Sequence, residues 1–149
     1  MLERLKLSAK ERAWIDHTIQ GAIEAQSLIE LEGREATVAL HRFVRDRQSA
    51  AHGAALLALE VPPADDYATA RRWVDWHHAF QRFYWTWMDE RQATPRLLSG
   101  GDLQKELGLT PGPAFSAILD GVEEARTLGD VRTREEALAW AARKIAERE

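Results

Sequence analysis

The sequence predicts an all-α protein of about seven helices, on three observations. Apolar residues recur at helical spacing over long segments, helix-start and helix-stop residues punctuate the chain at short intervals, and no run alternates apolar and polar residues as a half-buried strand requires. With 149 residues, 45% of them apolar and 30% charged, the chain has the make-up of one ordinary globular unit, with room for two small subdomains.

Ser8 stands three residues before Glu11, the spacing at which hydroxyl and carboxylate satisfy each other's backbone donors, so a first helix is expected over 9 to 31. Ile15, Ile19, Ala22, Ile23, Gln26 and Ile29 give it helical periodicity, and Gly33 is placed to end it or the turn after it. A second helix is expected over 34 to 47, with Ala36, Leu40, Phe43 and Val44 inward and Arg34, Arg42, Arg45 and Arg47 around the rest; against Glu35 and Asp46 this is the most basic stretch of the chain. Ser49 is positioned to cap a third, alanine-rich helix running through Leu56, Leu57 and Leu59, which Pro62-Pro63 stops because neither proline donates a hydrogen bond. From Asp65 to Gln92 the chain reads as one long helix. Advancing 100° per residue places Trp76, His77, Phe80, Tyr84 and Trp87 within roughly 60° of Trp73, a single aromatic stripe, with His78, Arg82 and Asp89 opposite and Trp85 off to one side. Thr94-Pro95 ends that helix.

Residues 96 to 149 are punctuated more tightly and predict three short helices. Ser99-Gly100-Gly101-Asp102 opens one that Gly108 closes, Pro111-Gly112-Pro113 opens another that Gly129 closes, and Thr133 with Glu136 caps the last. A helical region over 1–95 followed by a small three-helix unit over 96–149 is therefore expected, with the boundary near 93 to 98.

Composition narrows the chemistry. Lys and Arg number 20 against 24 Asp and Glu, a formal net charge of -4, which argues against a polycation that coats nucleic acid indiscriminately. The chain contains no cysteine, which excludes disulfides, thiolate metal sites and cysteine nucleophiles. No apolar run approaches the roughly 18 residues of a membrane span, and the opening six residues lack the apolar stretch of a signal peptide, so a cytoplasmic protein is expected. The five histidines, His17, His41, His52, His77 and His78, form no H-x-x-x-H or H-E-x-x-H pattern, and adjacent His77 and His78 diverge by 100° on a helix, so no metal site is expected. Neither a nucleophile motif nor a phosphate-binding or dinucleotide fingerprint is present. No catalytic residue and no cofactor are assigned. Aromatics can stack on bases, but the helical spacing of Trp73, Trp76, Phe80, Tyr84 and Trp87 favours a core between helices, leaving Trp85 as the member to be exposed or to touch a partner.

One local arrangement invites a ligand. Between Leu103 and Leu119 two short helices are joined by a turn containing Gly108, Pro111, Gly112 and Pro113, and the second helix begins with backbone amides at Ala114, Phe115 and Ser116. Such a turn resembles helix-hairpin-helix modules that hold a nucleic-acid phosphate on helix-start amides. It also reads as a tight packed turn in which Pro113 simply starts a helix. Both readings stay open on the sequence.

Four consecutive blocks carry a wider resemblance: Leu97-Leu98-Ser99-Gly100-Gly101-Asp102-Leu103; Leu107-Gly108-Leu109-Thr110-Pro111-Gly112-Pro113; Val122-Glu123-Glu124-Ala125-Arg126; and Gly129 through Leu138. Their order, spacing and identities resemble the C-terminal part of bacterial tRNA nucleotidyltransferases, the CCA-adding enzymes, and of the related bacterial poly(A) polymerases. Leu5 to Arg12 and His41 to Arg45 resemble, more weakly, the helical region that precedes it. In that family a head holds the catalytic carboxylates, a neck reads the nucleotide, and a helical body and tail hold the tRNA acceptor arm and elbow. The resemblance implies that this chain is body (1–95) and tail (96–149), a non-catalytic tRNA-positioning module whose partners are the tRNA acceptor and T-arm and a catalytic head domain or subunit. It departs from the family in lacking the glycine-rich strand with its Asp-x-Asp pair and the neck motif. The residues it nominates for RNA contact are Arg42 and Arg45 on the basic helix, Lys105, Gly112, Ala114 and Ser116 at the hairpin, and Arg132 and Arg134 at the last helix start. Residues 102 to 149 carry seven basic against ten acidic side chains, so weak, salt-sensitive binding is implied. A helical module that docks onto a separate catalytic subunit through the aromatic helix and Trp85 is the alternative.

Overall fold

The computed structural model describes residues 6–60 and 66–147, with backbone alone at 91–93. Among the described residues all regular structure is helical: α1 (Ala9–Leu28), α2 (Gly33–Arg47), a 3-10 turn (Gln48–Ala50), α3 (Ala51–Ala58), α4 (Tyr67–Ala93), α5 (Gly100–Leu107), α6 (Pro113–Thr127) and α7 (Arg134–Ala146). These segregate into two compact units, Met1–Asp89 and Glu90–Glu149, with the division inside α4.

In the first unit, Ser8 and Glu11 form the expected capping box at the start of α1. The helix stops at Leu28 rather than 31, because the chain tightens into a turn closed by the Leu31 amide on the Leu28 carbonyl. Ser49 does not cap α3. Gln48 takes a left-handed φ of 47°, a 3-10 turn follows, and α3 starts from Ala50 with no side-chain cap. The Ser49 carbonyl instead faces the Trp14 indole N–H at 3.4 Å, a contact 35 residues away in sequence that no local pattern signals. The third helix ends at Ala58, short of the expected Leu59. Pro62-Pro63 and Asp65 lie outside the described residues. Asp66 caps α4, accepting from the amides of Ala68 (3.0 Å) and Thr69 (3.2 Å) and from the Thr69 hydroxyl (2.6 Å). Asp66→Ala is expected to lower the urea midpoint, whereas an unchanged midpoint would show that packing alone sets this end.

The core of this unit joins two kinds of surface. Helices α1 and α3 approach on small residues, Ala22, Ala25, Ala51, Ala54, Ala55 and Ala58, and a Cβ added at Gly21 would stand 2.7 Å from that of Ala54. Against this seam α4 lays its aromatic stripe: Trp73, Trp76, Phe80 and Tyr84 are buried, and Phe83, Trp87 and Met88 pack around them. Phe80 stacks between Trp76 (5.7 Å) and Tyr84 (5.6 Å) and meets Phe43 of α2 edge-on at 5.9 Å. The aromatic spacing thus builds a core, and Trp85 is 54% exposed.

The second unit has its own core of Leu98, Leu103, Ile118, Val122, Val131, Ala137 and Ala141. Its punctuation follows the sequence. Ser99 and Asp102 make a capping box, Gly108 closes α5 with a left-handed φ of 64°, and Thr133 and Glu136 make a third capping box at α7. Gly121 on α6 faces Trp140 of α7 so closely that a Cβ there would overlap the indole ring.

Candidate nucleic-acid interface

The hairpin of the second unit is built from its stops and starts. Gly108 turns the chain, its successor Leu109 returns an amide to the Leu103 carbonyl at 3.1 Å, and Gly112 leads in extended conformation to Pro113 at the head of α6. Of the three amides expected to face an anion, that of Phe115 donates to the Gly112 carbonyl at 2.9 Å and is spent within the turn. The Phe115 ring also lies over Gly100, where an added Cβ would come within 3.1 Å of it. Packing therefore accounts for one amide and one ring of the turn. Ser116 and Gly112 are exposed, Ala114 half-buried.

The cations differ in what already holds them. Lys105, in the last turn of α5, is exposed and makes no ion pair among the described residues. Arg132 is exposed as well; its backbone N–H donates to Glu136 at 2.6 Å, and its guanidinium makes no ion pair among the described residues. Arg134 is engaged by Asp102 at 2.7 Å and by Glu106 at 3.4 Å, tying α7 to α5. The Ser99 hydroxyl first, and then the Arg134 guanidinium, hold the Asp102 carboxyl well below the usual carboxylate range, while Asp102 and Glu106 raise Arg134 in return. Arg143 is a further exposed cation on α7 that the sequence reading did not single out; its neighbour Lys144 is bound to Glu147 at 2.7 Å. Sequence gives the count of charges but not their partners, so the exposure of Arg143 beside the engaged Lys144 had no signal.

In the first unit α2 is less basic than its composition. Arg45 pairs with Asp46 at 2.7 Å and Arg47 with Glu24 at 2.6 Å, and Arg34 and Arg42 have interactions of their own. Arg42 is exposed and Arg45 half-buried.

A depressed carboxyl has a pH signature with a definite sign. Asp102 is more acidic folded than its ordinary value of 3.8, so its contribution to stability is complete above that value and fades as the pH falls below it. Thermal melts of the full chain are expected to lose stability on acidification through this range, and Asp102→Asn to flatten that limb; an Asn variant with the same acid limb would assign it elsewhere.

Among the described residues no group of three or more His, Asp or Glu side chains is arranged to hold a metal ion, and no helix is long and apolar enough to cross a membrane. No family model matches the chain, and no solved structure does. A stretch of 55 residues, 37% of the chain, is 46% identical to an A-adding tRNA nucleotidyltransferase of Deinococcus radiodurans, of which it spans only 13%. Part of this chain is therefore similar to part of a tRNA nucleotidyltransferase.

Proposed function

We propose that this chain is a non-catalytic module that holds tRNA for a nucleotidyltransferase active site located on another domain or subunit. The observation that carries the reading is the 46% identity over 55 residues to the A-adding enzyme. The hairpin of the second unit supports it: the helix-start positions Gly112, Ala114 and Ser116 are accompanied by the uncommitted cations Lys105 and Arg132. The role is positioning, since gripping the acceptor and T-arm places the 3′ end at a remote catalytic centre and lowers the barrier by proximity. Arg134 joins such a contact only by exchanging Asp102 and Glu106 for phosphate, and Arg45 only by leaving Asp46. The cytoplasm is the compartment this role requires.

Titrating labelled tRNA into the chain, against a hairpin of equal length that lacks the elbow, tests the reading. Binding is expected to prefer the folded tRNA and to weaken with salt, log K falling with log[salt] at about 0.7 to 0.9 per phosphate contact. Lys105→Ala with Arg132→Ala is expected to lower that slope by about 1 to 2 without unfolding the protein. No binding at low salt, or equal binding to both RNAs, would sink it.

A second reading has its own support. Trp14, Ile19 and Ile23 of α1, Leu56 and Leu57 of α3, and Val74 and Trp85 of α4 are exposed large apolar side chains. They favour docking onto a catalytic protein subunit. Sedimentation of the chain as a clean monomer over a wide concentration range counts against that alternative.

A further inference from the structure

Trp85 is exposed, yet its ring is pinned. Its indole N–H donates to the Gln81 side-chain oxygen at 3.1 Å, one turn back on α4, and the ring meets Tyr84 edge-on at 5.2 Å and His52 of α3 at 5.8 Å. The indole nitrogen is a donor only, so the Gln81 oxygen must face it. The Gln81 amide nitrogen then faces His77 Nε2, at 3.0 Å. An amide NH2 is likewise only a donor, so His77 Nε2 must accept. This assigns the tautomer: the imidazole is neutral and its proton is on Nδ1, which is buried.

A second proton has one place to go, His77 Nε2, and there it meets the Gln81 NH2 donor to donor. Turning the amide over offers its oxygen to the new N–H but points its NH2 at the Trp85 N–H, which is again donor to donor. No orientation of Gln81 serves a charged His77 and Trp85 together through single hydrogen bonds of this geometry. We propose that Trp85, Gln81 and His77 form a proton-operated latch, in which protonation of His77 Nε2 frees the Trp85 indole from the surface between α3 and α4.

Burial is the main influence that keeps His77 neutral below the ordinary histidine value, with the Ala55 backbone of α3 acting the other way. The titratable groups facing it are His52 on α3 and His78 on its own helix, and a proton on either opposes a proton on His77. The latch is therefore closed at neutral pH and opens under mild acid. It is independent of RNA binding, because no residue nominated for RNA contact takes part.

Indole 15N–1H spectra of the full chain, recorded between about pH 8 and about pH 5, read the latch directly. Trp85→Phe identifies the relevant signal among the six tryptophans. That signal is expected to move with a single midpoint shared with the His77 ring and lying below the ordinary histidine value, while the indoles of Trp73 and Trp76 stay in place. In His77→Gln the movement should vanish. In Gln81→Glu a carboxylate can accept from both donors at once, so the Trp85 signal should stay fixed while the His77 midpoint rises. A Trp85 signal that does not move before acid unfolding, or that moves equally in His77→Gln, overturns the proposal.

Discussion

Replacing Phe80 by alanine is expected to remove about 3–5 kcal/mol from the stability of the first unit. Phe80 is fully buried and lies at the centre of the stripe: Trp76 and Tyr84 stack on its flanks and Phe43 closes its edge. Truncation deletes the transfer energy of the ring and leaves a cavity walled by stiff aromatic side chains, which relax poorly into the space. Urea unfolding followed by tryptophan fluorescence reports on this unit directly, because Trp73 and Trp76 belong to the same core. Trp85→Ala is the control; as an exposed side chain it should cost far less. A loss below about 1 kcal/mol for Phe80→Ala would mean that the stripe packs without forming a core.

The second large effect has the opposite cause. Gly121 lies within α6, where alanine in an exposed helix would gain about 1 kcal/mol over glycine. Here the added methyl overlaps the Trp140 indole of α7, so Gly121→Ala is expected to destabilise the second unit by about 1–3 kcal/mol net. The cause is separable by a cycle. In a Trp140→Leu background the overlap is gone, and Gly121→Ala should become neutral or stabilising, a coupling that changes the sign of the mutation. Equal effects of Gly121→Ala in both backgrounds would remove the α6–α7 contact as the explanation.

What the sequence made legible was local. Ser8 with Glu11, Ser99 with Asp102, and Thr133 with Glu136 are capping boxes whose partners lie three residues apart, and angular spacing alone places Trp73, Trp76, Phe80 and Tyr84 on one face. The misassigned start of α3 fails for the complementary reason. Ser49 has the right side chain for a cap, but the backbone at Gln48 turns left-handed and the Ser49 carbonyl lies against Trp14, a residue of another helix. The Gly121–Trp140 contact was equally invisible, since a glycine inside a helix reads only as a weak position until its neighbour is known. The candidate interface was legible in part. The turn and its helix-start residues follow from glycine and proline positions, whereas the engagement of Arg134 by carboxylates 32 and 28 residues away does not. Counting arginines on α2 likewise overstated its free charge, because Glu24, the partner of Arg47, comes from α1.

The alanine seam between α1 and α3 has an evolutionary consequence opposite to that of the aromatic stripe beside it. Ala22, Ala25, Ala54 and Ala55 have almost nothing left to lose by truncation, while nearly every other amino acid adds volume at a place where the backbones already approach on methyl groups. In an exhaustive substitution library the seam would be purged by gains in size and the stripe by reductions in it. Two adjoining patches of one core would then drift under contrary filters, the first admitting little beyond alanine, glycine and serine, the second exchanging one large ring for another.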